Sequence, residues 1–232
     1  MEQAALNYLQ KDRLLHIDML ELLRLHEAKA LYAGKDGVLI HLADSNIHML
    51  SAASKESAGK IASQIITASM LVLHQPYLKD ELMTRFSLAG CMPCHQAAWL
   101  SDAPVPSLAG DLDIRILTEA DLPFVHEHYD NISDEEYLLE RMKAGMLGIY
   151  VENELAGFIG THTEGTIGLL EILPAYRRRG LAFALEGAMM CWQQERGRIP
   201  YAQIKEGNEA SLLLHKKLGM EVTPEASVLW LY

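Results

Sequence analysis

Leu173-Pro174-Ala175-Tyr176-Arg177-Arg178-Arg179-Gly180-Leu181-Ala182 joins an apolar, strand-like run, residues 167–173, to a stretch with helical spacing. The proline stops the strand, three consecutive arginines follow, and Gly180 opens the helix. A glycine at such a turn lets backbone amides approach a ligand with no side chain in the way. The helix directs its unpaired N–H groups and positive dipole end at the same place, which suits a phosphate. Behind the turn, Leu181, Leu185, Ala188, Met189 and Trp192 recur at spacings of three and four, giving the helix one buried stripe.

The chain has 232 residues, half of them apolar, enough for one large or two small domains. No run approaches the ~18 uninterrupted apolar residues of a membrane span, and residues 1–11 lack the basic and apolar layout of a signal peptide. A cytoplasmic protein with no membrane partner is expected. The net charge of −11 argues against nonspecific nucleic-acid binding, which relies on basic patches. From Asp111 onward there are 20 acidic and 11 basic residues, against 11 and 9 before it. That acidic half favours approach of a cationic amine, and an acidic surface that merely keeps the protein soluble has the same composition.

Cys91-Met92-Pro93-Cys94-His95 has the form of a c-type haem attachment run, and C-x-x-C also occurs in redox and zinc sites. Haem attachment needs export, zinc needs two further ligands at metal spacing, and reactive thiols of this kind sit at helix starts. These cysteines lie in an apolar, strand-like run toward Trp99. Free structural thiols are expected, with no metal and no haem. Cys191 falls on the buried side of the helix after the arginine turn.

Residues 100–113 hold two prolines, a glycine and several small or acidic residues, the best boundary signal in the chain. Before it, residues 7–31 have helical periodicity, 38–42 and 47–52 read as strands joined through Asp44-Ser45-Asn46, 58–70 as a helix, 71–74 as a strand and 78–89 as a helix. After the arginine turn and its helix, 200–205 reads as a strand, Glu206-Gly207-Asn208 turns into a short helix ending near Leu218-Gly219, and 221–223 with 228–232 form a terminal strand pair.

The spacing Arg177-x-x-Gly180-x-Ala182 resembles the pyrophosphate loop of the GNAT superfamily, the acyl-CoA-dependent N-acyltransferases. Its context strengthens the likeness. Ile114-Arg115-Ile116-Leu117-Thr118-Glu119-Ala120-Asp121-Leu122 looks like the first strand and helix entry of a GNAT domain. Residues 148–152 and 154–161 read as a hairpin turning at Glu152-Asn153. Asn208, Ser211, Leu214, Lys217, Leu218 and Gly219 match the family's closing pattern. The resemblance covers roughly residues 112–232. Within the superfamily, Gly165-Thr166-Ile167-Gly168-Leu169-Leu170 and Leu173-Pro174 look most like the branch that includes the glycine N-acyltransferases. The first half, 1–105, resembles a shortened, degenerate GNAT-like half.

The resemblance implies an α/β (α+β) GNAT fold, with a mixed, mostly antiparallel sheet flanked by helices. It also implies an N-acyltransferase that uses acetyl-CoA or another acyl-CoA and attacks directly in a ternary complex. The acceptor would be a small-molecule amine or an amino acid, and a homodimer is compatible with it. On this likeness Arg177, Arg178, Arg179, Gly180 and the amides of Leu181, Ala182 and Phe183 hold the diphosphate. A solvated basic cluster is the alternative for each arginine side chain, whereas the backbone role needs only Gly180 and the turn. Leu170, Ile172 and Leu173 lend backbone groups to the acyl and pantetheine arms, and an N–H near Ile172 would hold the developing oxyanion, worth ~3 kcal/mol in such sites. Asn208 and Ser211 would meet the coenzyme, although Asn208 also suits a helix N-cap. Lys216 and Lys217 would meet the 3′-phosphate or complement the helix end.

The base is harder to name. Some relatives carry a glutamate where Thr166 stands. Glu164 shares that parity. Glu171 has the opposite parity and qualifies only if a bulge shifts the register. It could equally be an ion-pair partner. His162 is a third candidate, and His215 stands where the family often has a tyrosine acid. The missing glutamate also fits a non-catalytic acyl-CoA-binding or sensing protein. The first half has no glycine-containing phosphate turn, since Gly59-Lys60 stands alone. Titration calorimetry should therefore give one CoA per chain, and two would contradict this reading.

Overall fold

The computed structural model describes every residue except Asp44, Leu108, Ala109, Asp111 and Asn131. The turn expected at Asp44 and part of the 100–113 boundary thus lie outside the described residues. In chain order the first elements are α1 (Glu2–Leu9), α2 (Ile17–Arg24), β1 (Ala28–Ala33), β2 (Gly37–Leu42), β3 (Ile47–Ala52), α3 (Lys55–Ala62), β4 (Met70–Leu73), α4 (Lys79–Phe86) and β5 (Cys91–Ala98). Then come β6 (Asp113–Ile116), α5 (Leu122–His128), α6 (Glu135–Gly145), β7 (Leu147–Val151), β8 (Glu154–Thr161), β9 (Ile167–Ile172) and α7 (Leu181–Glu195). The chain closes with β10 (Tyr201–Lys205), α8 (Glu209–Lys217), β11 (Glu221–Val222) and β12 (Val228–Leu231). Among the described pairings strands run antiparallel except for β3 with β4 and β9 with β10. The fold is mixed α/β with a mostly antiparallel sheet flanked by helices.

By contacts the chain divides into two compact units. One comprises Met1–Ala98, Gln203–Lys216 and Met220–Tyr232, the other Trp99–Ala202 and Lys217–Gly219. In the first unit β12 lies between β4 and β5, pairing with both, so the end of the chain counts with its beginning. Alternation along the strands builds two cores, because successive side chains take opposite faces. Val38, Ile40, Met49, Val72 and Trp230 pack with Ala5, Leu9, Met19 and Leu22 of α1 and α2. Leu39, Leu50, Leu71, Leu73 and Leu229 pack with Ala58, Ile61 and Leu82 of α3 and α4. In the second unit β6, β7, β8 and β9 run antiparallel in that order. Phe158 and Leu169 meet Leu122, Val125, Leu138 and Met142 of α5 and α6 on one face.

Three sequence expectations change. The helix expected over 7–31 breaks into α1, a 3-10 turn (Gln10–Asp12) and α2, and Ala28–Ala33 is a strand. The break is a C-cap: His26 takes φ +58 and Glu27 N–H closes on the Leu22 carbonyl at 2.8 Å. The helix expected over 58–70 starts earlier, in a capping box made by Ser54 and Ser57, and ends at Ala62. The two terminal strands do not pair with each other: β11 pairs with β5, and β12 with β4 and β5. Helix α6 was absent from the sequence reading, and Asp134 caps it by accepting from Tyr137 N–H at 3.1 Å.

The first unit also contains a buried polar network. The Asp18 carboxylate, fully buried, accepts from the backbone N–H of Met19 at 2.7 Å and from Gln203 Nε2 at 3.0 Å. The His74 ring lies 2.9 Å from it. Trp230 Nε1 donates to Gln203 Oε1 at 2.5 Å, so the carboxylate of α2 ties in β4, β10 and β12. Burial alone would raise the Asp18 carboxyl, but the His74 ring beside it and the Met19 N–H hold it below the usual range. His16, 5% exposed, bonds Ser51 Oγ at 2.8 Å. Burial and the neighbouring His74 push its pKa down to about 4. Burial and His41 do the same to His48.

These shifts fix a sign. The unfolded histidine binds a proton near pH 6.5, while the folded His16 stays neutral down to about 4. Stability is therefore lost as pH falls through that window, by about 3 kcal/mol for His16. The ionised Asp18 adds a further loss at still lower pH. Urea midpoints should fall steadily from pH 7 to 4.5, and H16Q should flatten part of that slope. A midpoint independent of pH over this range would contradict the assignment.

Candidate functional site

In the second unit β9 does not run straight. It pairs with β8 through Gly160↔Gly168 and then Phe158↔Glu171, so Leu169 and Leu170 oppose Ile159 alone. Leu169 takes φ +53 to make this bulge. Residues directly opposite in an antiparallel pair share a face. The bulge thus puts Glu171 on the face of Phe158, the register change that its candidacy required. On its other side β9 pairs with β10 at Ala202↔Ile167 only. From Gly168 onward that edge has no strand partner among the described pairings.

The strand leads through Leu173, whose N–H donates to the Ala156 carbonyl at 2.9 Å, into a 3-10 turn, Pro174–Tyr176. Arg178 takes φ +64 and Gly180 φ +80. Gly180 is the N-cap of α7 with no side chain capping it, and a Cβ placed there would meet nothing within 4 Å. The first N–H groups of α7, at Leu181, Ala182 and Phe183, have no side-chain acceptor from the cap, and an uncapped helix start of this kind suits an anion.

The three arginines differ in what they touch. Arg177 folds back onto the strand, donating from Nε to the Ile172 carbonyl at 2.8 Å and from Nη2 to Glu171 at 2.9 Å. Arg179 lies 5.5 Å over the Tyr176 ring, and Tyr176 Oη donates to Glu154 at 2.6 Å. Arg178 is exposed. Lys217 Nζ sits 4.7 Å over the Phe183 ring. Beside the turn lies a groove of about 480 Å³ walled by Phe124, Tyr150, Leu155, Leu173 and Tyr176.

The opposite end of β9 carries a second group of polar side chains. Glu164 is buried and accepts from Thr166 Oγ1 at 2.6 Å. Tyr201 Oη donates to its backbone carbonyl. His162 Nδ1 lies 2.8 Å from Tyr137 Oη. Burial raises the Tyr137 phenol to about 12, and the Glu164 charge adds to the rise. Tyr137 is the residue the sequence reading missed, because helix α6 was not read. The structure brings together Glu164, Thr166 and His162, and pairs Glu171 with Arg177.

The remaining candidates lie in the first unit. Asn208 Oδ1 accepts from Ser211 N–H at 3.1 Å, the N-cap alternative for this residue. His215 is buried, and its Nδ1 bonds the Ser211 carbonyl at 2.7 Å. The run 91–95 is part of β5: Cys94 joins the core under α1 and α2, and Cys91 packs against the core under α3 and α4, so the two thiols take opposite faces. Among the described residues no three His, Cys, Asp or Glu side chains group as metal ligands, and no helix is long and apolar enough to cross a membrane.

Residues 146–231 match the family model described as FR47-like protein. No curated protein matches the sequence. Among solved structures, a Drosophila protein aligns at 21% identity and a TM-score of 0.62, over 84% of this chain and 73% of its own. An acetyltransferase of the GNAT family from Colwellia psychrerythraea aligns at 13% identity and 0.55, over 99% and 94%. A GCN5-related N-acetyltransferase from Kribbella flavida aligns at 14% identity and 0.54, over 94% of each chain. The chain thus carries the FR47-like pattern over residues 146–231 and shares the fold of these GNAT-family structures.

Proposed function

We propose that the protein is an acyl-CoA-dependent N-acyltransferase, acting on a small amine or amino acid with acetyl-CoA as the simplest donor. One observation carries the reading: a strand bulged at Leu169, with one edge unpaired beyond Ile167, runs directly into a helix whose uncapped N-terminus opens at Gly180. That arrangement offers two things a thioester of a nucleotide needs. The amides of Leu181, Ala182 and Phe183, with Arg178 and Arg179, would hold the diphosphate. The edge of β9 at Leu170 and at the Ile172 N–H would take the pantetheine and acyl arm as a strand-like partner, the Ile172 carbonyl being held by Arg177. The Leu173 N–H is already used, and Arg177 braces the strand end through Ile172 and Glu171 instead of standing free for phosphate. The names of the Colwellia and Kribbella proteins agree with this activity.

Acyl transfer from a thioester needs a neutral amine, a polarised carbonyl and a proton for the departing sulfur. The protein's share is to bind, orient and move protons, because no cysteine lies on β9 or the turn to take the acyl group covalently. Glu171, held by Arg177, is an ion-pair partner first. Glu164 is buried and hydrogen-bonded. The absence of a free carboxylate on the strand also fits the alternative, an acyl-CoA-binding protein without turnover.

A panel of amines with acetyl-CoA, read by thiol release, separates the two. Turnover with at least one amine is expected, and binding without any release would support the sensing protein. Gly180→Val forces a branched side chain into φ +80 and into the space before the amides. Its CoA affinity by calorimetry should fall at least about tenfold, or 1.4 kcal/mol. Unchanged affinity would place the phosphates elsewhere.

A further inference from the structure

His162 occupies a particular place on β9. A Cβ built on Gly168 would lie 2.5 Å from His162 Nε2 and 2.7 Å from its Cδ2. The imidazole therefore covers the strand at Gly168, one residue before the Leu169 bulge, and a larger residue at 168 would push the ring aside. Gly168 has no positive φ, so the constraint is the ring and not the backbone. The ring's other nitrogen is held by Tyr137 at 2.8 Å. In the tautomer whose Nδ1–H donates to the phenol oxygen, Nε2 carries the lone pair over the strand.

The carboxylates near this strand are occupied, Glu171 by Arg177 and Glu164 by the Thr166 hydroxyl. The His162 ring faces Tyr137 from α6 and Gly168 from β9; the groups acting on Tyr137 are Glu164 and Thr163 from the β8–β9 turn and Arg141 from α6, which lies 5.6 Å over the Tyr137 ring. Resting on the transferase reading above, we propose that His162 is the catalytic base that deprotonates the acceptor ammonium, and that Tyr137 is its positioning residue.

The step balances as follows. Nε2 takes one proton from the ammonium, leaving a neutral amine. The nitrogen lone pair forms the C–N bond at the thioester carbonyl, and the C–S bond breaks with its electron pair on sulfur. The new amide nitrogen gives up its second proton, which the thiolate takes, and the imidazolium returns its proton to solvent. An imidazole is suited to this near neutral pH, where a carboxylate is a weak base toward an ammonium. The acceptor is then an amine that arrives protonated, such as an alkylamine or the α-amine of an amino acid.

The test uses full-length protein, acetyl-CoA and an amine that the wild type turns over. H162N keeps a side chain able to bond Tyr137 and should lose ~10²–10⁴-fold in kcat/KM near pH 7. The loss should shrink as pH rises toward the amine's own pKa, with CoA affinity unchanged by calorimetry. G168A leaves the histidine in the sequence but displaces its ring, and should show a smaller loss with the same pH dependence. Y137F should keep the fold and lose less, with the pH profile displaced. An H162N protein with wild-type rate and profile would overturn the assignment while leaving the transferase reading intact. A wild type that releases no thiol with any amine would overturn the transferase reading, and this assignment with it.

Discussion

The bulge in β9 is the constraint on which the second unit's chemistry depends. Two residues, Leu169 and Leu170, stand against the single Ile159, and Leu169 accepts a left-handed backbone to do so. A non-glycine residue held at positive φ carries strain of order 1 kcal/mol or more. The strand keeps it because Leu169 fills the core beside Phe158 and Met142. The bulge turns Glu171 onto the face of Phe158, where it pairs with Arg177. Just before it, Gly168 lies under the His162 ring. Among the described pairings β9 meets β10 at Ile167 alone, before the strand runs on to the turn at Pro174.

Burial of charge organises the first unit in a different way. Asp18 is ionised in the core and fully supplied with donors from Met19, Gln203 and the His74 ring. Removing a single partner would leave an uncompensated buried charge, which costs far more than an exposed ion pair contributes. The network joins side chains from residues 18, 74, 203 and 230, which ties the end of the sequence to its beginning. That explains why the contact division counts β12 and most of α8 with the first half.

Much of this was legible in the sequence. The strand-proline-glycine-helix order, the Glu152-Asn153 hairpin turn (φ +53 and +68) and strands 38–42 and 47–52 follow from local chemistry that the fold does not override. What escaped reading is instructive. Strand β1 was hidden because Lys29, Ala30 and Leu31 suit a helix as well as an edge strand, and the left-handed cap falls on His26, which sequence does not mark as a helix end. Helix α6 carried its signals, a capping Asp134 and buried Leu138 and Met142 at i and i+4, and went unread. The bulge was anticipated only as a condition on Glu171. Which residue bulges depends on pairing with β8, a tertiary fact. The glycine at 168 was visible, but its reason, the His162 ring, was not.

The central claim is that the coenzyme lies along β9 and at the N-terminus of α7. Amide hydrogen exchange with and without CoA tests it most directly. Slowed exchange is expected at Leu181, Ala182 and Phe183 and along residues 168–172, with residues 1–98 unaffected. Protection confined to residues 1–98, with none at the start of α7, would contradict it.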